Sequence, residues 1–356
     1  MKKLFILAAV AAIAAFSCAK TANMTEENIS EVQVIDDSVQ MPIIFGTTSA
    51  SVKSLTKAAV DAWNNETLYV YGIPRAGKDD ATLDLNNILI NNVAATAPAS
   101  ASGTIDVLDE NNSNSPFYYT DATYYDFFAY YVGSAVAGAP APNANLELAV
   151  TIDGTQDIMT ATPDKSVDCG AVDQSYLYSG YAARRGAQPN LQFKHKLARF
   201  VFNVKSGSAS SEDIVIDSIK INSVVNGTLS ILDETLTPAA EAAQMLFLRN
   251  AAGEENLAAA MPAYVANSTT FTQVGESVMV YPGVASHDII VYMHQTGIVT
   301  APAPIERTIT IPSGATVEGK KYNVNLTIYG MEAINISVTL NAWEDGEALD
   351  DIDTEI

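Results

Sequence analysis

Three histidines, two cysteines and a few paired carboxylates are the groups in this chain that could carry chemistry. His287 and His294 bracket "DIIVYM", seven residues apart. On a strand that spacing puts them on opposite faces, so they cannot share a metal. The pairs Glu212-Asp213, Asp233-Glu234 and Glu254-Glu255 fall at expected turns, where an acidic β protein commonly carries them. A hydrolytic dyad is the weaker reading of such pairs. No HExxH, CxxC, phosphate-binding loop, GxGxxG or GxSxG run occurs, and no Asp-x-Asp-x-Asp-Gly calcium loop. Cys169, in "SVDCGAVD", has no histidine near it in a recognisable pattern. The expectation is a chain that is not an enzyme and has no cofactor and no metal.

The stretch "LQFKHKLARFVFNV" (191–204) interleaves Lys194, Lys196 and Arg199 with aromatic residues, as a nucleic-acid surface would. The rest of the chain argues against that partner. Acidic residues outnumber Lys plus Arg 41 to 19, for a formal net charge of −22. Such a surface repels phosphate. Leu191, Phe193 and Leu197 share one face with His195, and the apolar phase then moves to Phe200, Phe202 and Val204. A phase switch implies a bulge or a strand buried on both sides. The segment is read as the opening strand of a second domain, with His195 buried and hydrogen-bonded inside it.

The chain begins "MKKLFILAAVAAIAAFSC", two lysines and then an apolar run from Leu4 to Phe16. As a helix that run would reach roughly 20 Å, short of the roughly 30 Å of a bilayer core. It therefore reads as a secretory signal, not a membrane span. Small residues followed by Cys18 resemble the lipobox of bacterial lipoproteins, whose cysteine is acylated. If Cys18 carries lipid, Cys169 has no partner within the chain. Two or three acyl chains would be needed there for a stable anchor.

The elements that must position anything else are strands. Thr, Val, Ile and Tyr are plentiful, and Asn, Gly, Pro and Ser clusters recur at short intervals, which reads as all-β. Residues 19–31 are polar and read as a tether. Val39, Met41, Ile43 and Phe45 alternate in "SVQMPIIFGT", and Pro42 confines that strand to a sheet edge or to a segment held from one side. "PFYYTDATYYDFFAYYVG" (116–133) reads as two adjacent strands with half-buried tyrosines, or as a stacking platform for sugars. The Ala-rich segment from Pro238 to Leu248 reads as a short helix. Tyr322, Val324, Leu326 and Ile328, then Ile334, Ile336, Val338 and Leu340, alternate cleanly on either side of a hairpin-sized connection. The last thirteen residues carry seven acids and no base, as a solvated tail or an electrostatic guard at an interface.

Four stretches together resemble the fimbrillin family, the pilin subunits and accessory proteins of Bacteroidales-type pili. They are the lipobox at Cys18, "YYDFFAYYV" (124–132), "QDIMTA" with "LQFKHKLARFVFNV", and "EGKKYNVNLTIYG…ISVTLNAWEDG". The resemblance implies two tandem transthyretin-like β-sandwich domains after a lipoprotein signal peptide. It divides the chain into a signal peptide (1–17), an acylated tether with a removable strand (18–48), an N-terminal domain (49–186) and a C-terminal domain with a donor segment (187–356). It further implies a structural subunit of cell-surface fimbriae, anchored through Cys18 to the outer membrane as a precursor. Proteolysis would remove the strand holding Val39, Met41, Ile43 and Phe45. A neighbouring subunit would then donate the segment holding Ile334, Ile336, Val338, Leu340 and Trp343. The family is typically cut after an arginine behind the first strand. That loop here has only Lys53 and Lys57, which makes these the candidate sites or marks an unprocessed accessory subunit. The partners implied are other pilin subunits, with a host glycan or protein as a target. The alternative is a surface adhesin or carbohydrate-binding lipoprotein.

Overall fold

Alternating apolar residues become twenty-one strands among the described residues of the computed structural model. The described residues are 36, 38–48, 63–100, 102–120, 122–169, 172–207, 214–260, 263–297, 304–330 and 334–342. In chain order the first are β1 (Phe45–Thr48), β2 (Thr67–Arg75), β3 (Ile90–Thr96), β4 (Ser102–Ile105), β5 (Leu108–Asp109), β6 (Ser115–Pro116), β7 (Tyr124–Tyr131), β8 (Glu147–Thr151) and β9 (Met159–Pro163). Two single-turn helices follow, α1 (Lys165–Asp168) and α2 (Gly180–Ala183). Next come β10 (Asn190–His195), β11 (Ala198–Ser206), β12 (Ile214–Ser223), β13 (Asn226–Ser230), β14 (Thr235–Pro238), β15 (Gln244–Phe247) and β16 (Val265–Ala266). The chain closes with β17 (Thr272–Val280), β18 (Ser286–Gln295), β19 (Ile305–Thr310), β20 (Lys320–Ile328) and β21 (Ile334–Ala342). The fold is all-β, as expected.

The first half is built on a seven-stranded sheet in the order β3-β2-β7-β9-β10-β1-β4. Each of its strands sends residues into one apolar cluster, which includes Phe45, Leu68, Ile90, Ile105, Phe127, Met159 and Leu191. The second half is a sandwich. The sheet β17-β11-β20-β21 faces the sheet β15-β12-β18-β19 across a second core centred on Phe200, Phe202, Ile219, Val291, Tyr322 and Val324. A third cluster joins the halves: Tyr71 and Tyr130 from the seven-stranded sheet meet Leu148, Leu229, Met279 and Tyr281. β8 pairs with β13 in a small sheet with β14, so the joint is hydrogen-bonded as well as apolar.

The phase switch in 191–204 is a crossing between sheets. Residues 190–195 pair with β9 and β1 in the first sheet, and from Ala198 the same run pairs with β17 and β20 in the second. Leu191 and Phe193 fill the first core, and Phe200, Phe202 and Val204 fill the second. The strand read as opening the second domain thus begins in the first sheet. His195 is buried, as expected, at 4% exposure, and its Nδ1 lies 2.9 Å from the Asp157 carboxylate. Lys196 is buried against Glu318, Arg199 is buried and Lys194 is exposed, so the three cations form no common patch.

The closing hairpin forms as expected, and its register sets Tyr322 opposite Leu340, Val324 opposite Val338 and Ile328 opposite Ile334. The Ala-rich segment from Pro238 is not a helix. It ends β14, loops, and enters β15, whose backbone completes the edge of β12. Sheet pairing there outweighs alanine's modest helical preference.

Candidate functional site: a strand held in a groove

β1 is four residues long, and it is not at a sheet edge. It lies parallel to β10 on one side and antiparallel to β4 on the other. Pro42 sits before the strand and makes only an isolated bridge to Tyr118, because it has no N–H to give to a ladder. The preceding residues are nevertheless engaged: Ile43 N–H donates to Phe117 O (2.7 Å), and Tyr119 N–H donates to Met41 O (3.0 Å).

Period two carries Met41, Ile43, Phe45 and Thr47 toward the core. Ile43 and Phe45 are buried, Met41 packs against the same cluster, and the Phe45 ring meets Phe127 edge-on at 5.0 Å. Burying each of the two large side chains is worth about 1.5–3 kcal/mol. Val39, expected on the same face, is 48% exposed because the alternating segment has left the sheet there. Two side chains that the sequence reading missed hold this stretch: Arg184 Nη1 donates to Val39 O (3.1 Å), and the Gln188 carboxamide spans Pro42 and Ile44. No sequence signal marks either one, since both follow a short turn with no period of its own.

The proposed donor residues lie elsewhere. β21 is the outer strand of its sheet, paired with β20 alone. Ile334 is buried, and Ile336, Val338 and Leu340 are partly buried against the second core. Groove and candidate donor are therefore in different halves. Cys18, Lys53, Lys57 and Trp343 lie outside the described residues.

The aromatic run splits into an inner strand, β7, and the segment 117–119 that bonds to residues 41–43. In β7, Tyr125 and Phe127 face the first core, while Phe128 and Tyr130 face the cluster between the halves. The hydroxyls find partners inside: Tyr130 donates to Asn92 Oδ1 (2.6 Å), and Tyr178 donates to Asp168 Oδ2 (2.8 Å). Tyr125, Phe127, Phe128 and Tyr130 are buried and offer no face to a sugar, while Tyr118, at 36% exposure, stays at the surface. Burial pushes the Tyr71 and Tyr131 hydroxyls up from 10.0 to about 12, and raises Tyr119, Tyr130, Tyr178 and Tyr281 as well. The unfolded chain loses these protons first, so the stability held below pH 10 falls as the pH rises toward 12. A spectrophotometric titration is expected to show an early fraction of the tyrosines and a late fraction that ionises only on unfolding. A single transition near pH 10 for all sixteen would contradict the buried cluster.

The remaining candidate groups are also placed among the described residues. No group of three or more His, Cys, Asp or Glu could hold a metal. His287 is buried with Nδ1 against Asn222 O (2.9 Å), and His294 pairs with Asp217 on the opposite face of β18. Cys169 is half-buried, its thiol donating to Ser166 O. No described helix is long and apolar enough to cross a membrane.

Comparison with known proteins agrees with this architecture. A family described as fimbrillin-like matches residues 56–343. A candidate cell adhesion protein from Bacteroides uniformis is 14% identical, with a TM-score of 0.53 over 85% of this chain and 98% of that one. A second from Bacteroides ovatus is 14% identical, with a TM-score of 0.52 over 88% and 100%. At that identity the likeness shows the fold alone. No curated protein matches the chain.

Proposed function

The chain belongs to the fimbrillin-like family, and from that premise we propose that it is a structural pilin subunit of cell-surface fimbriae that supports adhesion. In this reading it is exported with residues 1–17 as signal peptide, acylated at Cys18 and held at the outer membrane as a precursor. Cleavage after Lys57, or after Lys53, then frees the segment that carries β1. The two tandem domains meet where the chain crosses between their sheets, at residues 195–198 rather than at 186/187. The partners are further pilin subunits, and the role is structural, without catalysis.

One observation carries the reading. β1 is short, belongs to neither end of its sheet, and fills a slot between β10 and β4 with Ile43, Phe45 and Thr47. Its loss would leave two strand edges unpaired and an apolar slot open, which an incoming alternating strand satisfies by β-augmentation. Residues 334–340 supply such a strand: Ile334, Ile336, Val338 and Leu340 alternate, and the strand is bonded on one side only. Trp63, just past the candidate cut, stays anchored edge-on against Phe193 at 4.8 Å, so the cleaved chain keeps a fixed start.

N-terminal sequencing of the surface form is expected to begin at Ala58. Unboiled samples are expected to give a ladder of SDS-resistant oligomers that disappears when residues 331–356 are deleted. Surface fimbriae whose subunits still begin at acylated Cys18 would overturn the cleavage step. Burial of Tyr125, Phe127, Phe128 and Tyr130 weakens the alternative of sugar binding through the aromatic run, and a glycan array reads it directly.

A further inference from the structure

Gln188 lies in the six-residue link (184–189) between α2 and β10, before the first residue of that strand. Regular pairing along β10 reaches back as far as Gly46 N–H donating to Pro189 O (2.9 Å). The next rung of a parallel ladder would need one residue opposite Ile43 to accept from Ile44 N–H and donate to Pro42 O. By register that residue is Ala187, but its N–H is bonded to Ala182 O (3.0 Å), where the chain closes the α2 turn. The Gln188 side chain fills the gap. Its Oε1 accepts from Ile44 N–H (3.2 Å), and its Nε2 donates to Pro42 O (3.0 Å). A carboxamide has the acceptor and donor of a peptide group, so the side chain acts as a backbone rung. Tyr119 O–H, 3.4 Å from Oε1, steadies it.

We infer that Gln188 is a recognition residue for the strand that fills this groove, and that it serves a neighbouring copy's strand in place of β1 by the same two main-chain bonds. The inference rests on the strand-exchange reading above. Gln188 bonds only main-chain atoms of the occupant, so it does not depend on the occupant's side chains. It needs a carbonyl, and two residues later an N–H, on the same strand edge. Pro42 meets this because only its carbonyl is used. Residues 334–342 of a second copy contain no proline and meet it in any register. Arg184, bonded to Val39 O, reads the main chain once more at the outer end.

The test uses the full chain with Gln188→Met, which keeps length and bulk but loses both bonds. A second variant, Gln188→Glu, sets a carboxylate oxygen against the Pro42 carbonyl. Hydrogen exchange at the Ile44 amide in the precursor is expected to quicken on the order of tenfold in Gln188→Met and to stay slow in Gln188→Glu, whose carboxylate still accepts from it, while the Val324 amide in the second half keeps its protection. Oligomer ladders from cells carrying either variant are expected to dissociate about tenfold faster on heating in SDS. Unchanged Ile44 exchange in Gln188→Met overturns the rung. A normal wild-type ladder with variant ladders of equal lifetime overturns the role toward the donor and leaves strand exchange standing. A wild-type chain that forms no ladder overturns strand exchange and the donor role with it, and the exchange measurement alone then judges the rung on β1.

Discussion

Phe127→Ala is expected to destabilise the chain by about 3–5 kcal/mol, read as a lower midpoint in urea or thermal unfolding. The ring is buried in the central strand of the seven-stranded sheet. It meets Phe45 edge-on at 5.0 Å and Tyr178 at 5.5 Å, and stacks with Tyr125 at 6.2 Å. Each such aromatic pair adds about 0.5–1.5 kcal/mol beyond the area it buries. The surroundings cannot close over the loss, because β2 already passes in contact: a Cβ at Gly72 would lie 3.0 Å from the Phe127 ring. The substitution therefore leaves a cavity, and it sits on the floor of the β1 groove. Phe127→Leu, which keeps much of the volume, is expected to cost less. A loss below about 1 kcal/mol for the alanine variant would contradict this account of the core.

Asp157→Ala is expected to cost about 3–5 kcal/mol, measured by equilibrium denaturation at neutral pH. Asp157 sits in the loop before β9, and its carboxylate accepts from His195 Nδ1 at 2.9 Å where the chain crosses between sheets. Both side chains are 2% exposed. Removing one partner leaves the other's polar groups shut away from water, which costs more than the bond itself contributed. Glu318→Ala provides the contrast. Its partner Lys196 is buried, but Glu318 is 47% exposed and water can take its place, so the expected loss is within about 1 kcal/mol. Equal losses for the two substitutions would show that burial does not set the cost of these pairs.

Local pattern carried some elements and failed at others, for identifiable reasons. β20 and β21 were legible because each has one dry face, so period two appears directly in the residues. The same rule failed in β7, where Tyr125 and Phe127 enter one core while Phe128 and Tyr130 enter another. A strand buried on both faces shows no alternation, and its tyrosines look like a surface feature. Pro42 by itself marks a sheet edge or a segment held from one side. The residue lies just before β1, however, and the strand itself is covered by β4, which is distant in sequence. The segment from Pro238 has helical composition but meets an open edge of β12. In the groove, the alternating residues from Met41 to Phe45 were visible. Gln188 was not, because a rung made by a side chain has no period.

The sequence by itself determined the all-β class, the alternation of the first and closing strands, the resemblance to the fimbrillins, and the change of phase between His195 and Phe200. Those properties depend on which faces of a local segment are apolar. Only the tertiary structure decided that the phase change is a crossing from one sheet to another, and that β1 is enclosed between β10 and β4. It also decided that a glutamine carboxamide completes the ladder beside β1. The physical reason is that strand neighbours are chosen by hydrogen bonds and packing between residues far apart in the chain, here Gly46 with Asn190 and Thr104, and local periodicity carries no record of partners at that distance.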